Sequence, residues 1–174
     1  MRCFVACWPD DATRERLDRV ARDQLPRYPG ARRMRPENLH LTLAFIGQMA
    51  ETAARELAAA LAREVCQPFD WRIDHVGRFE RARVLWAGGP EELRLVQWAE
   101  RVRQLLQTMQ VAFDRKPFAA HVTLLRDAPA RRGAEPAEAS EPIEPIRWPV
   151  QAARLIVSER DARGATRYRP LEPQ

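Results

Sequence analysis

Apolar residues run unbroken from Cys3 to Trp8 and stop at Pro9, which predicts a strand over 2–8. Asp10 and Asp11 suit a helix start, and Leu17, Val20, Ala21 and Gln24-Leu25 then recur at helical spacing. Pro26, Pro29 and Gly30 end that helix. A strand is expected over 38–46, stopped by Gly47, and a helix over 52–65 with Ala54, Leu57, Ala58, Leu61 and Val65 on one face. Residues 69–76 alternate as a strand. The order then recurs: a strand over 84–87, a Gly88-Gly89-Pro90 turn, a helix over 91–109 and a strand over 118–125. Residues 127–149 are rich in Pro, Ala, Glu and Arg without periodicity and read as a long surface loop. Two late strands, over 152–157 and 166–171, flank the turn Asp161-Ala162-Arg163-Gly164.

The recurrence has a register. A shift of 81 positions lays His40-Leu41-Thr42-Leu43 on His121-Val122-Thr123-Leu124. The same shift lays Arg2 on Arg83, Ala6 on Ala87, Pro9 on Pro90, and Arg35-Pro36 on Lys116-Pro117. One domain over 1–174 is therefore expected, with two lobes built from copies at approximately 1–47 and 82–126.

Side chains two apart on a strand share a face, so each His-x-Thr presents an imidazole beside a hydroxyl. Leu39, Leu41, Leu43 and Phe45 make an apolar face on the first motif strand, leaving His40 and Thr42 on the other. Val122 and Leu124 are likewise opposed to His121 and Thr123. If the lobes face each other, two imidazoles converge on one cleft and can serve a phosphate as acid and base. A neutral and a protonated imidazole can coexist near neutrality, and the threonine hydroxyls can donate to non-bridging oxygens. His75 shares a face with Phe69, Trp71 and Ile73, has no counterpart in the repeat, and reads as packing. No metal spacing joins the histidines, so neither a metal nor a cofactor is expected.

Composition narrows the setting. Apolar and charged fractions of 45% and 30% belong to a globular chain. No apolar run is long enough for a membrane span and the N-terminus does not read as a signal peptide, so a cytoplasmic protein is expected. Cys3, Cys7 and Cys66 are odd in number, lack C-x-x-C spacing, and read as reduced core thiols. The net charge is +5, and Lys116 is the only lysine. An arginine-rich surface suits an RNA partner, and equally suits an arginine-biased proteome.

The motif blocks resemble the 2H phosphoesterase superfamily, and within it the bacterial RNA 2′,3′-cyclic phosphodiesterases, historically called 2′-5′ RNA ligases. The resemblance rests on Arg35-Pro36-Glu37-Asn38-Leu39-His40-Leu41-Thr42-Leu43-Ala44-Phe45-Ile46-Gly47, on Val84-Leu85-Trp86-Ala87-Gly88, and on His121-Val122-Thr123-Leu124-Leu125-Arg126. Ser158-Glu159 and Arg167-Tyr168 resemble its terminal hairpin. Met34 and Leu125 depart from the pattern, where an aromatic and a small residue are frequent.

The resemblance implies an α+β fold, bilobal and pseudo-two-fold, with a mainly antiparallel sheet in each lobe, helices outside and a central cleft. It implies metal-independent hydrolysis of RNA 2′,3′-cyclic phosphate ends to 2′-phosphomonoesters, with His40 as proton donor and His121 as proton acceptor. Thr42, Thr123, Arg126 and Tyr168 are the residues it assigns to phosphate and substrate. On a regular strand Arg126 falls on the face opposite Thr123, so its contact rests on the resemblance alone. Expected partners are cyclic-ended RNAs, tRNA fragments among them, and the expected state is a monomer. Competing readings are 2′-5′ ligation in the same cleft, a 2H enzyme for small cyclic nucleotides or 2′-5′ oligonucleotides, and an RNA-binding module with a vestigial site.

Overall fold

The computed structural model describes residues 1–64, 67–129, 140–162 and 164–172. Val65, Cys66, Arg163 and residues 130–139 of the expected surface loop, which figured in the sequence expectations, lie outside them. The strands are β1 (Arg2–Cys7), β2 (Arg32–Arg33), β3 (Leu41–Gln48), β4 (Phe69–Phe79), β5 (Val84–Gly88), β6 (Val122–Arg126), β7 (Glu141–Val150), β8 (Ala153–Arg160) and β9 (Thr166–Pro170). The helices are α1 (Asp11–Gln24), α2 (Glu51–Arg63) and α3 (Leu93–Thr108). Asp10 caps α1 by accepting from the Thr13 amide at 2.7 Å, which satisfies one of the helix's free N-terminal donors. No helix among the described residues is long and apolar enough to cross a membrane.

The strands pair antiparallel in the order β7-β4-β5-β6-β3-β1-β8-β9, with β2 attached to β6. The centre of this order is its weakest seam: β3 and β6 meet through one registered pair, Leu41 with Val122. These two residues are counterparts under the 81-residue shift. On either side of the seam the strands mirror one another. The sequence copies interlock, because β8, from late in the chain, flanks β1, and β4, from early in it, flanks β5. The helices cross over too, α1 packing on β6 and β7 and α3 on β3. The α+β architecture, with helices outside a mainly antiparallel sheet, is that expected from the sequence.

The main core gathers Leu17, Leu41, Leu57, Trp71, Trp98 and Trp148 with their neighbours between sheet and helices. Phe4, Ala6 and Ile156 form a second, smaller apolar cluster, with Trp8 and Tyr168 packed on it. Since strand neighbours point to opposite faces, Cys3, Val5 and Cys7 serve the first cluster while Phe4 and Ala6 serve the second. All five are buried, which is why the opening run showed no alternation.

One expectation is corrected. Residues 141–149, assigned to the surface loop, belong to β7, which pairs along β4 as an edge strand. Pro142, Pro145 and Pro149 obscured it. An edge strand tolerates proline because its outer groups need no ladder partner. The register breaks opposite Asp74, where residues 143–145 form a bulge whose Ile143 packs on the core. Beyond the bulge Ile146, Trp148 and Val150 alternate into the core. The 118–125 strand also begins later than expected, at Val122.

Candidate active site

His40 and His121 each stand immediately before the residue that bridges the seam. Their environments match at the backbone: Nδ1 of His40 lies 2.7 Å from the Asn38 carbonyl, and Nδ1 of His121 lies 2.7 Å from the Ala119 carbonyl. A carbonyl only accepts, so Nδ1–H donates in both rings and Nε2 is left as the nitrogen that exchanges protons with a ligand. The two carbonyls are again 81 residues apart.

Beyond the backbone the pockets differ. His40 stacks on Trp8 with ring centroids 5.2 Å apart, tilts against Phe4 at 4.9 Å, and meets Tyr168 edge-on at 5.2 Å. His121 meets Phe79 edge-on at 4.9 Å. Desolvation by the three rings pushes the His40 imidazole down to about 4, against the opposing effect of its Asn38 hydrogen bond. The charges of Arg126 and His121 lower it further. Burial also lowers His121, opposed by its Ala119 bond and assisted by Arg126. Both shifts favour the neutral imidazole near pH 7.

Asn38 joins His40 to the terminal hairpin. Its buried side chain donates to the Thr166 carbonyl at 3.0 Å and accepts from the Tyr168 amide at 3.3 Å, while its own carbonyl accepts the hydrogen bond from His40 Nδ1–H. Tyr168 is thereby held against His40.

Thr42 and Thr123 are half-buried on the motif strands, registered opposite Ala6 and Trp86. Just after each threonine the register slips. The pairing skips Leu43 on β3 and Leu124 on β6, leaving an extra residue in each strand. Leu43 and Ala44 are therefore both buried, as are Leu124 and Leu125. A bulge reverses the parity of everything beyond it. It returns Arg126 to the face of Thr123, which removes the objection that regular alternation raised. It also overturns the assignment of Phe45 to the core face: Phe45 is 38% exposed and lines the same groove as Arg126.

His75 is half-buried, bound to Asp74 at 2.8 Å and edge-on to Trp86 at 5.5 Å, but the register break after Ile73 turns it off the face of Phe69, Trp71 and Ile73 that the sequence predicted, and Val76 takes the core side instead. Among the described residues no three His, Cys, Asp or Glu side chains gather to hold a metal ion. Sequence reasoning missed the rings of Phe4, Trp8 and Phe79. Period two along Arg2, Phe4, Ala6 and Trp8 was the available signal for the first two.

Comparison with known proteins gives a consistent result. The family model of the LigT-like phosphoesterases matches residues 8–86. The RNA 2′,3′-cyclic phosphodiesterase of Archaeoglobus fulgidus is 35% identical over 129 residues, 72% of each chain. That of Escherichia coli is 34% identical over 140 residues, 78% of this chain and 74% of its own. The crystal structure of E. coli LigT complexed with 3′-AMP superposes with a TM-score of 0.79 at 30% identity, covering 98% of this chain and 95% of that one.

Proposed function

The chain belongs to the LigT-like phosphoesterases, and from that premise we propose that its cleft hydrolyses RNA 2′,3′-cyclic phosphate ends to 2′-phosphomonoesters, with His40 as proton donor and His121 as proton acceptor. The protein is an enzyme, a phosphodiesterase of the 2H type with an RNA substrate. The observation that carries the mechanism is the matched anchoring of the two imidazoles, Nδ1 on the carbonyl two residues back in each case, across the Leu41–Val122 pair. It supports a reading in which two lobes related by a pseudo-two-fold axis offer one reactive nitrogen each to a phosphorus between them.

Opening the ring requires a base for the attacking water on one side of phosphorus and an acid for the departing 3′-oxygen on the other. Two neutral imidazoles supply only the base. The missing proton follows from the substrate's own charge. A phosphodiester is an anion, and the water-poor surroundings that hold His40 down also strengthen its attraction to a nearby negative charge. Binding of substrate therefore draws a proton onto His40, the more deeply desolvated ring, while His121 stays free to accept one from water. Each contribution is worth about a hundred- to ten-thousand-fold. Thr42 and Thr123 donate hydroxyl hydrogen bonds to the non-bridging oxygens as charge builds there. Arg126, whose charge both imidazoles feel, neutralises the same oxygens.

The same proposal makes the enzyme a cytoplasmic monomer that needs no metal and acts on RNA ends such as those of tRNA fragments. The test is incubation, in excess chelator, with a short RNA ending in a 2′,3′-cyclic phosphate, followed by location of the product's phosphate. A 2′-phosphate is expected. Unchanged RNA overturns the proposal, and a 3′-phosphate overturns the assignment of the departing oxygen.

A further inference from the structure

From the rings around His40 a groove of about 540 Å³ runs across β3, β1, β8 and β9. Its floor follows the strand register. Phe45 is paired with Phe4; Arg2 is paired with Ser158, which faces Tyr168 on its other side; Arg160 is paired with Thr166 beyond. Successive rows are one two-residue strand step apart, about 6.7 Å. From the level of Thr42 and Ala6 to that of Arg160 is three such steps, roughly 20 Å, several times the reach of a single phosphate group.

The groove joins aromatic rings to arginines that lack a carboxylate partner, Arg160 donating to the Gly164 carbonyl at 3.0 Å. Phe45 is exposed, and the Arg2 guanidinium lies over its ring at 5.3 Å. Among the described residues Arg2, Arg126 and Arg160 have no carboxylate partner. Arg32, Arg33 and Arg35, which also line the groove, are paired with Asp127, Asp18 and Asp161. Rings and guanidinium planes alternating along a cationic track are what a single nucleic-acid strand needs, the bases stacking and the phosphates pairing.

We propose that this groove holds the nucleotides on the 5′ side of the cyclic end, so that the preferred substrate is an oligonucleotide terminus and not a mononucleotide. This rests on the cyclic-phosphate reading above. Phe45 and Tyr168 stack bases, and Arg2 and Arg160 hold the phosphates between them. Stacking and phosphate pairing read no base edges, so the preference is for chain length and not for sequence.

The groove also fixes the substrate's polarity. In an in-line displacement the attacking water and the departing oxygen lie on opposite sides of phosphorus. The departing 3′-oxygen stays bonded to its ribose, so the nucleoside and the chain attached to it lie on the side of the acid. The groove opens beside His40, through Phe4 and Tyr168, and its lining does not include Phe79, the ring against His121. The cyclic ester's P–O3′ bond breaks as the water's P–O bond forms, the water's proton goes to His121, and the proton on His40 goes to O3′. A strand laid in this groove makes His40 the donor and leaves His121 to the water on the far side of phosphorus.

The test compares kcat/KM for a mononucleotide 2′,3′-cyclic phosphate with that for a tetranucleotide carrying the same end, in the protein and in Phe45→Ala, Arg2→Gln and Arg160→Ala. The tetranucleotide is expected to be preferred at least ten-fold, and each substitution to reduce that ratio about ten-fold. The salt dependence of tetranucleotide affinity should become shallower in Arg160→Ala, by about 0.7 in the log–log slope. Equal kcat/KM for the two lengths overturns the groove assignment and leaves hydrolysis standing. An unchanged ratio in all three variants does the same. Absence of turnover on either substrate overturns the cyclic-phosphate reading, and the groove assignment with it.

Discussion

Phe45 and Arg126 occupy the same place in two copies of one bulged strand and line the same groove, one as a ring and the other as a cation. Each stands three residues beyond its motif threonine. Each is turned to the open face by the extra residue, Leu43 or Leu124, that breaks the alternation before it. The bulge is a shared backbone device, and the residue it presents differs between the copies. A nearly symmetric backbone thereby carries an asymmetric site, as a substrate with a nucleoside on only one side of its phosphate requires.

Arg126 lowers both imidazoles through its charge. Replacing it with the neutral, similarly long methionine in Arg126→Met should raise the pKa of both His40 and His121 in the substrate-free protein. The NMR titration of the ring resonances reads this directly. The same variant should lose roughly ten- to a hundred-fold in kcat/KM, because an interaction with developing phosphate charge is gone. Unmoved titrations would place the guanidinium away from the cleft.

Burial holds His40 at about 4 in the folded chain, against an unperturbed 6.5. Between those values the unfolded chain binds a proton that the folded chain does not. Stability is therefore full above about pH 6.5 and is lost as pH falls toward 4, by up to about 3 kcal/mol from His40. His121 adds to the loss in the same direction. Urea unfolding at several pH values, in the protein and in His40→Gln, isolates the effect. The stability of the protein relative to His40→Gln should fall by about that amount across the window, and a constant difference would contradict it.

The threonine hydroxyls can be removed with little change of shape. Thr42→Val and Thr123→Val should keep the melting temperature within a few degrees and lower kcat by about ten- to a thousand-fold each, with less effect on KM. Steady-state kinetics beside a thermal melt separates these quantities. A loss confined to KM would make the hydroxyls binding groups alone.

Gly77 lies beneath the Trp86 indole, and a Cβ there would fall inside the ring's van der Waals envelope. Trp86 leans on Phe79 at 5.4 Å, and Phe79 is the ring against His121. Gly77→Ala must push that stack aside. It should cost about 1–3 kcal/mol of stability and lower kcat through displacement of His121. Thermal unfolding and kinetics on the one variant check both halves of the prediction.

The repeat, the two motifs and the sides of the sheet that they occupy were legible in the sequence, because histidine and threonine two apart on a strand must share a face. What followed each motif was not. Strict alternation sent Phe45 to the core and Arg126 to the wrong face, since a bulge leaves no mark in a run such as Leu43-Ala44 or Leu124-Leu125, apolar whichever way it turns. The β7 strand was hidden for a different reason. Its prolines signal a loop to any local reading, and only its place at the sheet edge makes them tolerable. The ring cage of His40 was missed because Phe4 and Trp8 sit in a run where every residue is apolar, and only the register shows which of them turn toward the imidazole.

The central claim is that His40 protonates the departing oxygen and His121 deprotonates water. It is tested most directly with a cyclic-ended RNA in which sulfur replaces the 3′-bridging oxygen, assayed with His40→Ala and His121→Ala. A thiol is acidic enough, at about 8.5, to leave without a proton, whereas an alkoxide is not. Both variants should lose about a hundred- to ten-thousand-fold on the oxygen substrate. On the sulfur substrate His40→Ala should recover most of its loss and His121→Ala should not. Recovery by His121→Ala alone would exchange the two roles, and recovery by neither would contradict acid catalysis by His40.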